Sequence, residues 1–279
     1  MTLAKRGVSW AQTSVGRSMI YGQGGFKKQE KAGLEWLNKA VAQDFPPALS
    51  ELSDLHRVGF KSVVRKSQEK ANKLLLKSAN LDYAFANSEL ASYYIRGANG
   101  FEMNPDESYF RASVAFALDG ADGQAAFILG GFHYDKDVPR PSPYLACYYT
   151  NIATSEDDNG YSCHMYSKSL LRLTSHLHGG YAINGSNDKA AIFFWSRKSR
   201  DLGCDDAIRL LKKWESNEQS SCANCAKKAE AGAKFKQCSK CTAQWYCSKE
   251  CQVKAWRAGH KKDCKRARIL KFEDFLYSE

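Results

Sequence analysis

Along the first 215 positions the apolar residues recur three and four apart, among many Ala, Leu, Ser and Lys, and this spacing predicts helices. The pattern also repeats. Asp44, Ala48 and Leu52 return as Asp82, Ala86 and Leu90, 38 residues later. Both units contain Ser-Glu-Leu at 50–52 and 88–90, and both reach a glycine seven residues on, Gly59 and Gly97. The frame reappears as Ala121, Ala125 and Leu129, then as Gly203, Ala207 and Leu211. Between these last two, a unit near Gly160–Leu171 fits poorly. Within a period a second helix ends in Lys-Ala or Lys-Ser, at Lys39-Ala40, Lys77-Ser78 and Lys198-Ser199. Small residues at i and i+4 let two helices approach closely, and Leu at i+8 fills the seam. One such pair cannot bury its apolar face alone, whereas stacked pairs can. The expected architecture is therefore mainly α, a helical-repeat solenoid. The plain alternative is an irregular helical domain with chance echoes.

The segment Tyr21-Gly-Gln-Gly24-Gly-Phe26, followed by Lys31-Ala32, Trp36-Leu37 and Lys39-Ala40, resembles the Sel-one-like repeat, a short relative of the tetratricopeptide repeat. Weaker units at Lys70-Ala71 and at Trp195 with Lys198-Ser199 follow it. The resemblance covers residues 18–215, clearly in the first half and loosely after Pro139. It implies a right-handed superhelix that serves as a protein-binding scaffold, and it implies no chemistry. It also draws residues 11–21 into a helix, which argues against reading the basic start of the chain as an organelle presequence.

Charge and cysteine divide the chain. The 279 residues carry 41 Lys and Arg against 30 Asp and Glu, a net +11, with ten Cys and six His. Residues 222–279 hold 14 of the basic and 6 of the acidic residues. Seven of the ten cysteines lie between Cys222 and Cys264. The polar run Ser216–Ser221 reads as a linker. The expected organisation is a solenoid over 1–215, a linker over 216–221, a cysteine-rich module over 222–264 and a basic, amphipathic tail over 265–279. No stretch approaches the roughly 18 apolar residues of a membrane helix. The opening residues lack the apolar core of a secretory signal. An intracellular protein is expected, cytoplasmic or nuclear.

The module contains Cys222-x2-Cys225, Cys238-x2-Cys241, Cys247-x3-Cys251 and His260-x3-Cys264, eight potential ligands in four pairs. An x2 knuckle points two thiolates of one turn at a single ion, and an x3 spacing puts two ligands one helical turn apart. Soft thiolates with one imidazole suit tetrahedral zinc. Two ions would take four ligands each and leave no position for a catalytic water, so the sites are structural. A disulfide cluster is disfavoured by the odd cysteine number and leaves His260 unexplained. Phe235, Trp245, Tyr246, Val253 and Trp256 are the large apolar residues of the module, too few to fold it alone. Spacing permits either interleaved or sequential pairing of the ligands. Gly259 is expected to end a helix that starts near Lys249, as a C′ glycine that turns His260 back to the metal.

With Tyr246 before Cys247, Gln252 after Cys251, Trp256 four residues later and the His260-x3-Cys264 close, the module closely resembles the MYND zinc finger. The resemblance implies two zinc ions in cross-braced order. Cys222, Cys225, Cys247 and Cys251 would hold the first, and Cys238, Cys241, His260 and Cys264 the second. It also implies capture of short proline-rich peptides in a groove built from Ser239, Gln252 and Trp256. An indole stacks on proline rings and an amide pairs with the peptide backbone. The alternative for Trp256 is packing inside the finger.

The competing reading is nucleic acid, from the basic run Lys261, Lys262, Lys265, Arg266 and Arg268. That run is as compatible with a solvated face or a nuclear localisation signal. Zinc-bound thiolates lower the charge of finger and tail from +8 to about +5, and no recognition-helix motif accompanies them. A metal-dependent enzyme comes third. No methyltransferase motif is visible, and an iron triad of His133, Asp135 and His176 or His178 would need a β-barrel. Asn184-Gly-Ser186 matches a glycosylation acceptor that would matter only on secretion. The last segment, with Ile269, Leu270, Phe275 and Leu276, is expected to dock an apolar face on finger or solenoid. The sequence thus points to a non-enzymatic adaptor: a solenoid holding one unknown protein partner and a zinc finger capturing a second, peptide-like one.

Overall fold

The computed structural model describes residues 1–60, 63–135, 141–177, 189–266 and 269–277. Pro139, His178, the acceptor at Asn184–Ser186 and Arg268 lie outside the described residues. The chain is mainly α, as its periodicity predicts, and divides into two compact units, Met1–Ala125 and Ala126–Glu279.

The first unit contains α1 (Thr2–Lys5), α2 (Ser9–Tyr21), α3 (Glu30–Val41), α4 (Pro46–Val58), α5 (Gln68–Asn80), α6 (Ala84–Arg96) and α7 (Pro105–Leu118). Consecutive helices pack as hairpins, α2 with α3, α4 with α5 and α6 with α7. The repeated frame falls on the first helix of each hairpin. Asp44 and Asp82 occupy left-handed turns at φ 54° and 57°, directly before the N-cap residues of α4 and α6, Phe45 and Tyr83. Asp is among the few residues that tolerate that conformation. The seam residues Ala48, Ala86 and Leu90 have no exposed surface at all, and Leu52 is nearly as buried. Gly59 and Gly97 stand immediately after α4 and α6 in positive-φ conformations that terminate them.

A second set of small residues marks where the two helices of a hairpin cross. A Cβ at Gly33 would come within 2.6 Å of the Gly16 carbonyl oxygen, so only glycine allows that crossing. In the next two hairpins a serine hydroxyl donates across the same crossing, Ser53 to the Ala71 carbonyl and Ser108 to the Ala91 carbonyl, each at 2.8 Å. The Lys-Ser ends are tied as well. Ser78 Oγ donates to the Pro46 carbonyl at 2.7 Å, and Lys77 pairs with Asp44.

The second unit contains the rest of α8 (Gly123–Tyr134), α9 (Pro143–Ala153), α10 (Tyr161–Leu177), α11 (Lys189–Asp201) and α12 (Asp205–Glu218). The finger follows as β1 (Lys236–Gln237), β2 (Trp245–Tyr246), α13 (Lys249–Ala255) and α14 (Lys261–Arg266), and the tail as α15 (Phe272–Leu276). The same frame continues: Gly160 and Gly203 are left-handed, at φ 82° and 94°. Gly160 therefore opens the poorly matching unit, in which His164 takes the place of the seam alanine and Lys168 that of the leucine. Ser199 Oγ donates to the Gly160 carbonyl at 2.7 Å, as Ser78 does in the first unit.

The segment 216–221 finishes α12 and then bonds to the finger. Ala229 N–H donates to the Ser220 carbonyl and Phe235 N–H to the Gln219 carbonyl. The tail docks on the helices through Ile269 and Phe272, which join Cys147, Tyr166, Leu170 and Trp195 in one core. Asn151 fixes it by donating to the Leu270 carbonyl and accepting from Phe272 N–H, both at 2.8 Å. Leu270 and Leu276, expected on the docking face, are exposed. Lys271 is extended, so the contact comes from Ile269 and from Phe272, the first residue of α15, while the Phe275 side chain lies outside the described residues.

Candidate metal centre

Two knuckles of the same design start the finger. In each, the residue after the second cysteine is left-handed, Ala226 at φ 58° and Thr242 at φ 52°. Its N–H donates back to the carbonyl of the first cysteine, Ala226 to Cys222 and Thr242 to Cys238, both at 2.9 Å. That turn faces two sulfurs the same way. The antiparallel pair β1–β2, with Lys236 opposite Tyr246 and Gln237 opposite Trp245, joins the second knuckle to the strand that ends directly before Cys247. Ser248 caps α13 by accepting from Cys251 N–H, which places Cys251 one turn beyond Cys247. The run of helix that starts at Lys249 ends at Gly259, as expected, because Gly259 is non-helical and separates it from a second helix. It closes in a wide turn at 256–260, and the chain kinks at Gly259, φ 143°, before α14. A side chain would obstruct that backbone conformation, and the kink turns His260 into the interior.

The donor atoms converge in two groups. Cys222, Cys225, Cys247 and Cys251 form one, Cys238, Cys241, His260 and Cys264 the other, with all ligand atoms of each group within 4.8 Å of one another. Cys247 Sγ lies 3.5 Å from Cys251 Sγ and 3.6 Å from Cys225 Sγ. His260 Nε2 lies 3.3 Å from Cys238 Sγ and 3.7 Å from Cys241 Sγ. A zinc tetrahedron with bonds of about 2.3 Å to sulfur has edges of about 3.8 Å. Of the two pairings that spacing permits, the geometry is the interleaved one.

Electrostatics fit a cation. Burial opposes ionisation of Cys222, but backbone N–H groups of Cys247, Cys225 and Asn224 outweigh it and bring its thiol down to about 6. At Cys238 burial is likewise outweighed, by N–H groups of Cys241 and Lys240, and its thiol is lowered. Their neighbours move the other way. Hydrogen bonds with the Cys251 and Cys222 thiols push Cys247 up to about 12, and burial raises Cys241. Each group thus has one thiol that ionises more readily than a free one, and a divalent ion would supply the charge that ionises the rest. Burial lowers His260, keeping its imidazole neutral and ready to ligate. Its Nδ1 has no hydrogen-bond partner among the described residues. The rings of Trp256 and Tyr246, at 5.7 and 5.9 Å, hold its orientation instead. The two tetrads fit two zinc ions, the first held by thiolates alone and the second by three thiolates and one imidazole, neither with an open position.

The metal groups rest directly on the last helices. Cys222, Cys238, Cys241 and Cys264 share one core with Ala190 and Phe193 of α11, Leu211 of α12 and Trp245. Phe193 meets both Trp245 and Trp214 at 5.9 Å between ring centroids. Arg197 of α11 donates to the Thr242 carbonyl at 2.6 Å and to Glu215 at 2.8 Å. Lys189 pairs with Glu218 at 2.9 Å. Nothing near Arg197 in the sequence signals a partner 45 residues on.

Of the three groove residues, Ser239 is exposed and Gln252 and Trp256 are half-buried. Gln252 precedes Trp256 by one helical turn, and Lys240, next to Ser239, lies 5.3 Å above the Trp256 ring. The His133, Asp135 and His176 combination is not assembled: among the described residues the two tetrads alone bring metal-binding groups together. His133 stacks on Tyr149, and His176 lies edge-on to Tyr144. No helix among the described residues is long and apolar enough to cross a membrane.

Residues 222–264 match the model of the MYND finger. Over 77% of the chain the fold is similar to the crystal structure of a Sel1 repeat protein from Oxalobacter formigenes, with a TM-score of 0.59, 20% identity and 82% of that chain covered. A protective antigen present in uropathogenic Escherichia coli strains and displaying an SLR fold is similar at the same score and identity, with this chain spanning 43% of its length. The helical hairpins therefore have the fold of Sel1-like repeats, and the two-zinc finger follows them.

Proposed function

We propose that this chain is a protein–protein adaptor. The MYND finger captures a short, proline-containing peptide on Ser239, Gln252 and Trp256, and the helical repeats hold a second protein. Both modules it resembles are interaction modules rather than enzymes. The observation that carries the reading is the closure of both tetrads: every ligand position is taken by the chain itself, which leaves the finger's chemistry to its surface. On that surface Trp256 keeps part of its ring exposed beside Lys240 and one turn from Gln252. Such an arrangement suits proline rings and a peptide carbonyl. A cluster of thiolates suits a reducing compartment, inside the cell.

The test is peptide capture by the full chain, compared with Trp256→Ala. Because Trp256 also packs on His260, zinc content is measured in parallel. Capture lost with both zincs retained supports the reading. Capture unchanged overturns the groove. Nucleic-acid binding that Trp256→Ala weakens, with a steep salt slope, would favour a basic zinc protein acting on nucleic acid through exposed Lys261, Lys262 and Lys265.

A further inference from the structure

The repeat that departs from its frame borders a cleft. Where Ala48, Ala86, Ala125 and Ala207 seal their seams, α10 carries His164, and where Leu52, Leu90, Leu129 and Leu211 fill them, it carries Lys168. Both line a shallow, open cleft of about 510 Å³ between α8, α10 and α12, a shape that suits a peptide segment better than an enclosed small molecule. We infer that this cleft docks an acidic peptide segment of the repeat region's partner. The inference rests on the adaptor reading above and names the chemistry of its second ligand.

Three observations support it. His164 is 8% exposed, and its Nδ1 has no hydrogen-bond partner among the described residues. An imidazole in a helix seam costs stability that alanine would not, and the ring stands at the wall of this cleft. The charge is one-sided. Lys168, Arg209 and Lys213 line the cleft, and the one carboxylate among its described lining residues, Asp206, is paired with Arg209. Lys168 and Arg172, one turn apart on α10, both lie over the Tyr134 ring, at 5.0 and 5.2 Å, which orients two cations together. The walls are apolar between the charges, with Leu171, Leu210 and Trp214. Cations one helical turn apart stand about 5.4 Å along the axis. In an extended peptide, side chains two apart share a face at about 6.6 Å. Acidic residues at alternate positions would reach the cations while the intervening apolar ones meet the walls. A phosphate backbone has nothing to offer those walls.

The probe is a fluorescent peptide alternating Glu with Leu, compared by anisotropy with its Gln counterpart on the full, zinc-loaded chain. The Glu peptide is expected to bind at least about tenfold more tightly, with an advantage that shrinks as salt rises. Lys168→Glu combined with Lys213→Glu should remove that advantage and leave proline-rich peptide capture unchanged. His164→Ala, which restores the frame residue, should weaken the Glu peptide while the thermal midpoint holds or rises, a combination that a purely structural histidine would not give. Equal binding of the two peptides, or full binding in the double variant with normal circular dichroism and zinc content, overturns the inference. So does single-stranded DNA that displaces the Glu peptide and loses binding in the same double variant. Proline-rich capture without Glu-peptide binding sinks this inference alone, and Glu-peptide binding without proline-rich capture sinks the groove alone.

Discussion

The first three hairpins and the finger stabilise short segments in opposite ways. In the hairpins each helix is held by neighbours close in sequence: an alanine seam, a leucine at i+8, a glycine or serine crossing. In the finger the large apolar side chains are few, and the chain converges on ligand atoms contributed by turns, a strand end and two helices. Repeated local packing tolerates the loss of one element, because the others keep their own seams. A centre fed from four places does not, because removing any one ligand pair disturbs both halves of the interleave. The finger's core also includes α11 and α12, so its metal dependence extends into helices that carry no ligand.

The largest expected effect follows from stripping the zinc. Structural zinc contributes on the order of 10–16 kcal/mol of apparent folding energy in small fingers. Under a strong chelator, hydrogen exchange should rise over 222–266 and over α11 and α12, while α2–α7 keep their protection. Loss confined to 222–264 would mean that the shared core holds without metal, and the contrast would then run at the finger's edge rather than through the helices.

Next in size are core truncations. Phe193→Ala removes the ring between Trp245 and Trp214 and should cost about 3–5 kcal/mol. It should also speed zinc transfer to a chromophoric chelator. Leu90→Ala, buried in the first unit, should cost about 2–5 kcal/mol and leave zinc transfer unchanged. Faster transfer in both would show that the two regions unfold together.

What the sequence displayed and what it concealed follow the same division. The eight ligands and the repeat frame are spacings within a turn or two of chain, and local spacing dictates local geometry. Gly259 is likewise legible as the position where the helix breaks, since its backbone conformation favours glycine. Arg197, Phe193 and Phe272 act across 45 or more residues, and no periodicity encodes their partners. The poorly matching repeat hid in another way. Its left-handed Gly160 keeps the frame, but His164 and Lys168 replace the residues by which the frame is recognised.

Smaller effects test the crossings. In α8 a Cβ at Gly130 would stand 2.5 Å from Thr150 Cγ2, whereas at Gly131 nothing lies within 4 Å. Gly130→Ala should therefore destabilise by about 1–3 kcal/mol. Gly131→Ala should stabilise by about 0.5–1 kcal/mol through helix propensity alone. Thermal midpoints that moved in the same direction would mean that the crossing can relax.

The smallest expected effect compares the regions most directly. Ser78 and Ser199 make comparable bonds, each hydroxyl donating at 2.7 Å to a carbonyl near the start of its hairpin, Pro46 at the first residue of α4 and Gly160 directly before α10. Each Ser→Ala change should cost about 1 kcal/mol in a denaturant titration. Their equality would show that the poorly matching repeat is held by the same device as the regular one. Zinc transfer separates them: Ser199 belongs to α11, on which the finger rests, so its loss should hasten metal release, while Ser78→Ala should leave release at the wild-type rate. Equal release from both variants would confine the finger's dependence to its immediate contacts at Phe193 and Arg197 and leave the rest of α11 to the helical repeat.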